Sequence, residues 1–197
     1  IKEHDNGITN FHFEISADLL REDELELISD MRPGLIQLEI GVQSTNDVTI
    51  REIHRTMCLE KVYHAVNRVK AGGNIHQHLD LIAGLPFEDY QRFQQSFNDI
   101  YALHTQQLQL GFLKVLKGSY MYEHAAEYGL VYRTKPPYEV LASKWVSYDE
   151  MLEIRLVEEM LELHYNSGQF LTYLGVLEKQ YDSAFQMFLD MGHYYRS

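Results

Sequence analysis

From Thr9 to about Glu127 the apolar positions switch repeatedly between a period of two and a helical period, which predicts strands alternating with helices. Thr9 to Ile15 reads as a first strand. Ser16 or Asp18 then stands where it would cap a helix over roughly Arg21 to Met31, closed by Pro33-Gly34. Leu35 to Val42 is a second strand, Asn46 begins a short helical turn through His54, and Leu59 to Ala71 is a longer helix with Val62, Ala65, Val66 and Val69 on one face. Gly72-Gly73 stops that helix. Ile75 to Ala83 is a third strand, Gly84-Leu85-Pro86 turns the chain, and Asp89 opens a helix to about His104. Gln107 to Val115 is a fourth strand, followed by a helix from about Ser119 to Tyr128. Four such βα units in series predict a parallel sheet.

All four strands are two-faced. His12, Glu14 and Ser16, then Gln37, Glu39 and Gly41, then His76, His78 and Asp80, then Gln107, Gln109 and Gly111 each share a side. Phe11, Phe13, Ile15, Leu38, Leu79, Leu81, Leu110 and Phe112 take the other. Parallel strands covered on both sides read as continuous apolar runs, and a closed eight-stranded barrel fills its interior with branched apolar side chains. A half-open barrel with outer helices and a wide polar lumen fits this alternation. A sheet with one face in water is the plainer alternative.

Beyond Leu130 the texture changes. Pro136-Pro137 marks a break, Tyr138 to Ala142 is short and strand-like, and Ser147 opens a helical pattern through about Tyr165 carrying Met151, Ile154, Leu156, Val157, Met160, Leu161 and His164. Gly168 ends it, and Gln169 to Lys179 and Asp182 to Tyr195 read as two further helices, rich in aromatics and Met. This divides the chain into residues 1–133, the βα part, and residues 134–197, a helical extension whose apolar stripe is read as core.

The 197 residues suffice for a sizeable core, and a net charge of −12 opposes phosphate backbones and anionic lipid surfaces. Nucleic acid and membranes are therefore not expected as partners. No apolar stretch approaches membrane-spanning length, and no signal peptide is recognised at the start, so a cytoplasmic location is expected. The single cysteine, Cys58, excludes an internal disulfide and reads as a buried small hydrophobe.

The strand ending Glu39-Ile40-Gly41-Val42-Gln43-Ser44 carries a glycine and two short polar side chains at its C-terminal end, where parallel barrels place their chemistry. It resembles the fourth barrel strand of radical S-adenosylmethionine (radical SAM) enzymes, in the group of oxygen-independent coproporphyrinogen oxidase, methylthiotransferases and cobalamin-binding members. Asp80 to Pro86 is similar to that family's fifth strand and turn, and Phe112 to Ser119 to its sixth. The resemblance implies an α/β fold comprising strands three to six of a partial (βα)6 TIM-like barrel.

It also implies roles. Gln43 matches the Gln that contacts the methionine or ribose part of SAM, with Ser44 beside it; Arg55, in Ile53-His54-Arg55, matches a SAM-contacting Arg; Glu14 matches the acidic residue of the preceding strand; and Leu113 matches an apolar contact to adenine. Glu39, His76, His78 and Asp80 are assigned to the lumen or to a small-molecule substrate. His76, His78 and Asp80 share a strand face, but too few ligands cluster there for a metal site to be assigned.

Family members bind a 4Fe-4S cluster through three cysteines, usually CxxxCxxC, a motif these residues lack. The resemblance therefore implies that the cluster loop and the first half of the barrel lie upstream of Ile1, with cobalamin from an upstream domain as a further option. The expected function is that of a C-terminal portion of an enzyme that cleaves SAM to make a substrate radical, inactive alone. Two alternatives remain: a non-radical barrel lyase or hydrolase using the polar carboxylates and histidines, and a non-catalytic binding module.

Overall fold

A computed structural model describes residues 1–197. Four parallel strands, β1 (Phe11–Ile15), β2 (Ile36–Gln43), β3 (His76–Ala83) and β4 (Gln107–Phe112), lie in the order β1-β2-β3-β4. The connections carry α1 (Glu22–Ser29), then α2 (Asp47–Glu52) and α3 (Leu59–Gly72), then α4 (Tyr90–Tyr101). Alternation in β2 has its expected result: Ile36, Leu38, Ile40 and Val42 are buried among the helices, while the residues between them are partly open. Val62, Ala65, Val66 and Val69 of α3 and Phe93, Phe97 and Ile100 of α4 join these strands in one core.

Gln77 is the polar exception on the covered side. It is fully buried, its amide nitrogen donates to the Val66 carbonyl at 3.1 Å, and its backbone N–H donates to Gln106 Oε1 at 2.8 Å, which offsets part of its desolvation. The expected apolar cover is thinner at β1. There Phe11 and Ile15 are only half-buried and Phe13 is 37% exposed.

Helix starts follow local cap chemistry where the partner is local. Asn46, Asp89 and Ser147 accept from the amides of Val48, Arg92 and Glu150 and begin α2, α4 and α6 (Tyr148–Met160). The first helix is a correction: neither Ser16 nor Asp18 caps it. Its first turn is closed by Glu24 accepting from the Arg21 amide at 3.0 Å, whereas Asp18 accepts from the Cys58 amide at 3.3 Å and so serves the start of α3. A second correction concerns residues 119–128, where only α5 (Tyr120–Glu123) is helical. Hydrogen bonds beyond it span three, four, three and five residues in turn, and Gly129 stands among them at φ +60°.

The C-terminal residues form a short antiparallel pair, β5 (Val131–Tyr132) with β6 (Val140–Ala142), and then α6, a π-helical turn at Leu161–Asn166, α7 (Leu171–Leu177) and α8 (Ala184–Arg196). Asn98 of α4 docks this layer: its Oδ1 accepts from the Phe185 amide at 2.9 Å at the start of α8. Between α6 and α8 the helices meet at Gly192, where a Cβ would run into the Leu156 side chain. Gly192→Val is therefore expected to destabilise the protein by about 1–3 kcal/mol through overpacking, read as a lower denaturation midpoint. An unchanged midpoint would show that α6 and α8 do not sit this close.

Candidate functional site

The uncovered side of the sheet presents Glu14 from β1, Glu39 and Gly41 from β2 and Asp80 from β3. With Ile15, Ser16, Gln43 and Arg55 they line a cleft of about 290 Å³. Gln43 reaches it through a backbone irregularity. The β2–β3 register shifts between Gly41 and Gln43, and Gln43 stands at φ +70°, an uncommon conformation for a residue with a Cβ. Gly41 is what makes room: a Cβ there would lie 2.5 Å from Gln43 Nε2 and 3.4 Å from Arg55 Nη1. The amide and the guanidinium thus sit together over a bare stretch of backbone. Gln43 Oε1 is buried without a hydrogen-bond partner, an uncommon state that suits a donor from a bound molecule.

Ser44 lies elsewhere, so its placement in the cleft is corrected. The bulge turns it to the helix side, where it is fully buried and its hydroxyl donates to Glu88 Oε1 at 2.6 Å while accepting from the Asn46 amide at 2.9 Å. Ser96 donates to the same Glu88 oxygen at 2.7 Å and accepts from the Thr45 amide at 3.1 Å. Thr49 adds a bond to the Pro86 carbonyl at 2.9 Å. Residues 44–49 are therefore pinned to residues 86–96, and the strained Gln43 is held from behind. Burial pushes the Glu88 carboxyl above its ordinary value, outweighing the two serine hydrogen bonds and Arg92, which pull it down.

A second recess of about 620 Å³ shares Gln43 and Asp80 with the cleft and continues over β4, past Gln109, Leu113 and Lys114. Its far wall comes from the C-terminal segment: Glu139, Arg155 and Glu158. Arg155 lies 4.0 Å from the Phe112 ring centre and 2.8 Å from Glu139, a cation–π contact combined with an ion pair. Burial, then Glu162 and Glu159, raise the Glu158 carboxyl. The sequence reading treats the stripe after Ser147 as core and misses this wall. Arg155 and Glu158, three residues apart and interleaved with buried Ile154 and Val157, are the available signal.

The structure thus brings Glu14, Gln43, Arg55, Glu39 and Asp80 to one cleft and sets Leu113 in the adjoining recess. His76 does not join them. It is exposed at the start of β3. His78 lies below, with Nε2 3.0 Å from Asp80 Oδ1; burial lowers its proton affinity, but Asp80, followed by Glu39 and Glu162, outweighs burial and raises it.

A four-stranded parallel sheet with this connectivity is similar to part of the fold of solved radical SAM enzymes. Among solved structures, coproporphyrinogen III oxidase (HemN) from Escherichia coli, a radical SAM enzyme, matches with a TM-score of 0.56 over 80% of this chain and 33% of its own, at 19% identity. The archaeal Methanocaldococcus infernus Elp3 matches at 0.51 over 60% of this chain and 28% of its own, at 20% identity. The radical SAM methyltransferase TsrM from Kitasatospora setae, whose structure holds cobalamin and a 4Fe-4S cluster, matches at 0.51 over 64% of this chain and 24% of its own, at 15% identity. In sequence, oxygen-independent coproporphyrinogen III oxidase of Salmonella typhimurium is 29% identical over 105 residues, half of this chain. The chain spans 23% of the length of that relative. Residues 126–197 match a family described as a protein of unknown function (DUF4080). No helix is long and apolar enough to cross a membrane.

Proposed function

We propose that the chain supplies strands three to six of a partial radical SAM barrel over residues 1–133, with residues 134–197 as a helical extension that closes its substrate side. The observation that carries this reading is the meeting of Glu14, Gln43 and Arg55, from three separate segments, at one cleft whose space depends on Gly41. The residues fit S-adenosylmethionine. Arg55 offers a planar fork for a carboxylate, Glu14 an acceptor for an ammonium group or ribose, the orphaned Gln43 amide oxygen an acceptor for a further donor, and Leu113 an apolar wall for adenine. When bound, that cofactor supplies hydrogen-abstraction chemistry; these residues orient it, while the α6 wall shields it from water. The adjoining recess would take a small-molecule substrate.

The cluster does not fit these residues. A 4Fe-4S centre needs several thiolates, and the one cysteine, Cys58, is half-buried rather than the buried small hydrophobe expected, its thiol donating to Glu60 Oε2 at 3.3 Å. No role through a cluster is assigned to this chain, which alone should not cleave the cofactor. Cobalamin has its support in the likeness to TsrM.

Calorimetric titration of the chain with S-adenosylmethionine should give saturable binding. Gln43→Ala and Arg55→Ala should each weaken it at least tenfold, with Arg21→Ala, an exposed control, unchanged. Absence of binding, or binding indifferent to Gln43 and Arg55, would overturn the reading.

A further inference from the structure

On the sheet face that lines the cleft, Glu39, His78 and Asp80 each offer one donor atom, and those three atoms lie within 4.8 Å of one another. Parallel pairing brings them together: Glu39 is the register partner of His78, and Asp80 follows two residues on along the same face of β3. His78 is 7% exposed. Its Nε2 and Asp80 Oδ1 are 3.0 Å apart but not aligned as a hydrogen bond, and both atoms are shut off from solvent with no other partner. Buried polar atoms are nearly always satisfied by well-formed hydrogen bonds, so two buried atoms left with only a misaligned contact to each other leave bonding capacity for something that both would bind.

We propose that Glu39, His78 and Asp80 form a site for a divalent first-row transition cation. One imidazole nitrogen with two carboxylate oxygens suits Zn²⁺, Fe²⁺ or Mn²⁺, and two carboxylates balance the charge. Metal–ligand bonds near 2.0–2.2 Å space the donors roughly 3–3.6 Å apart, so the side chains close by about an ångström through rotation. His12 supplies the outer support, its Nε2 2.9 Å from Glu39 Oε2, the kind of imidazole–carboxylate contact that orients a ligand. His76, two residues before His78 on the same side of β3, is exposed and stands outside the cluster.

The proposal goes beyond the cofactor reading and is tested with metal alone. Titration of the 197-residue chain, stripped with chelator, should show one equivalent of Zn²⁺ bound with micromolar or tighter affinity, and Co²⁺ should develop a ligand-field absorption band. Glu39→Gln and His78→Gln should each weaken binding at least tenfold, while His76→Gln leaves it unchanged; circular dichroism checks that the variants fold. In the unmodified chain the His78 imidazole resonances should be those that move on adding Zn²⁺, a readout that needs no variant to fold. No saturable binding, or binding that survives both substitutions and leaves the His78 signals in place, would overturn the site. Either result leaves S-adenosylmethionine binding at Gln43 and Arg55 to its own titration.

Discussion

Phe97→Ala should cost about 3–5 kcal/mol, the range for emptying a buried aromatic site, and so remove a large part of a typical domain's 5–15 kcal/mol. Phe97 is fully buried in α4, stacked on Tyr101 at 5.9 Å and meeting Phe185 and Phe188 of α8 edge-on at 5.6 and 6.0 Å. Each such pair adds about 0.5–1.5 kcal/mol beyond area burial. The same ring therefore holds α4 and fastens the C-terminal layer that bears the α6 wall of the recess. Phe170→Ala, at a ring 39% exposed, serves as a control expected to change stability far less. Urea unfolding measures both, and a Phe97 loss below about 1 kcal/mol would mean that the layer is not fastened through this cluster.

What was legible in the sequence depended on how far apart the interacting partners lie along the chain. Alternation in Ile36–Gln43 and helical spacing in Leu59–Gly72 are local, as are the caps Asn46, Asp89 and Ser147, and the structure places these elements near the expected bounds. Asp18 misled because the amide it serves belongs to Cys58, forty residues away. Ser44 misled for a different reason: adjacency to Gln43 suggested a shared direction, but a bulge reverses side-chain parity, and only the position of Glu88 shows which way Ser44 turned. Strand parity put Glu39, His78 and Asp80 on polar faces, yet their meeting required the register Glu39↔His78, which no single strand contains. Arg155 and Glu158 were hidden because α6 had to be docked before either could be seen to face the recess.

Glu88→Leu tests whether the loop behind Gln43 is held as described. Ser44 and Ser96 both donate to Glu88 Oε1 in a fully buried site, and each stranded hydroxyl should cost about 1–3 kcal/mol. Glu88→Gln retains an acceptor oxygen and should lose much less. The two substitutions also separate packing from charge. Burial raises the native Glu88 carboxyl above its ordinary value of 4.5, so over the interval between the two values the folded protein keeps a proton that the unfolded chain has released. Stability contributed by that proton is present in full below the unfolded value and is lost as pH rises through the native one. Glu88→Gln removes this slope, so urea midpoints should move in favour of the Gln variant as pH rises through the interval, then run parallel above it. Parallel profiles throughout would mean that Glu88 titrates normally. Equal stability of the Leu and Gln variants would mean that the serines find other acceptors and Gln43 is not braced from this side.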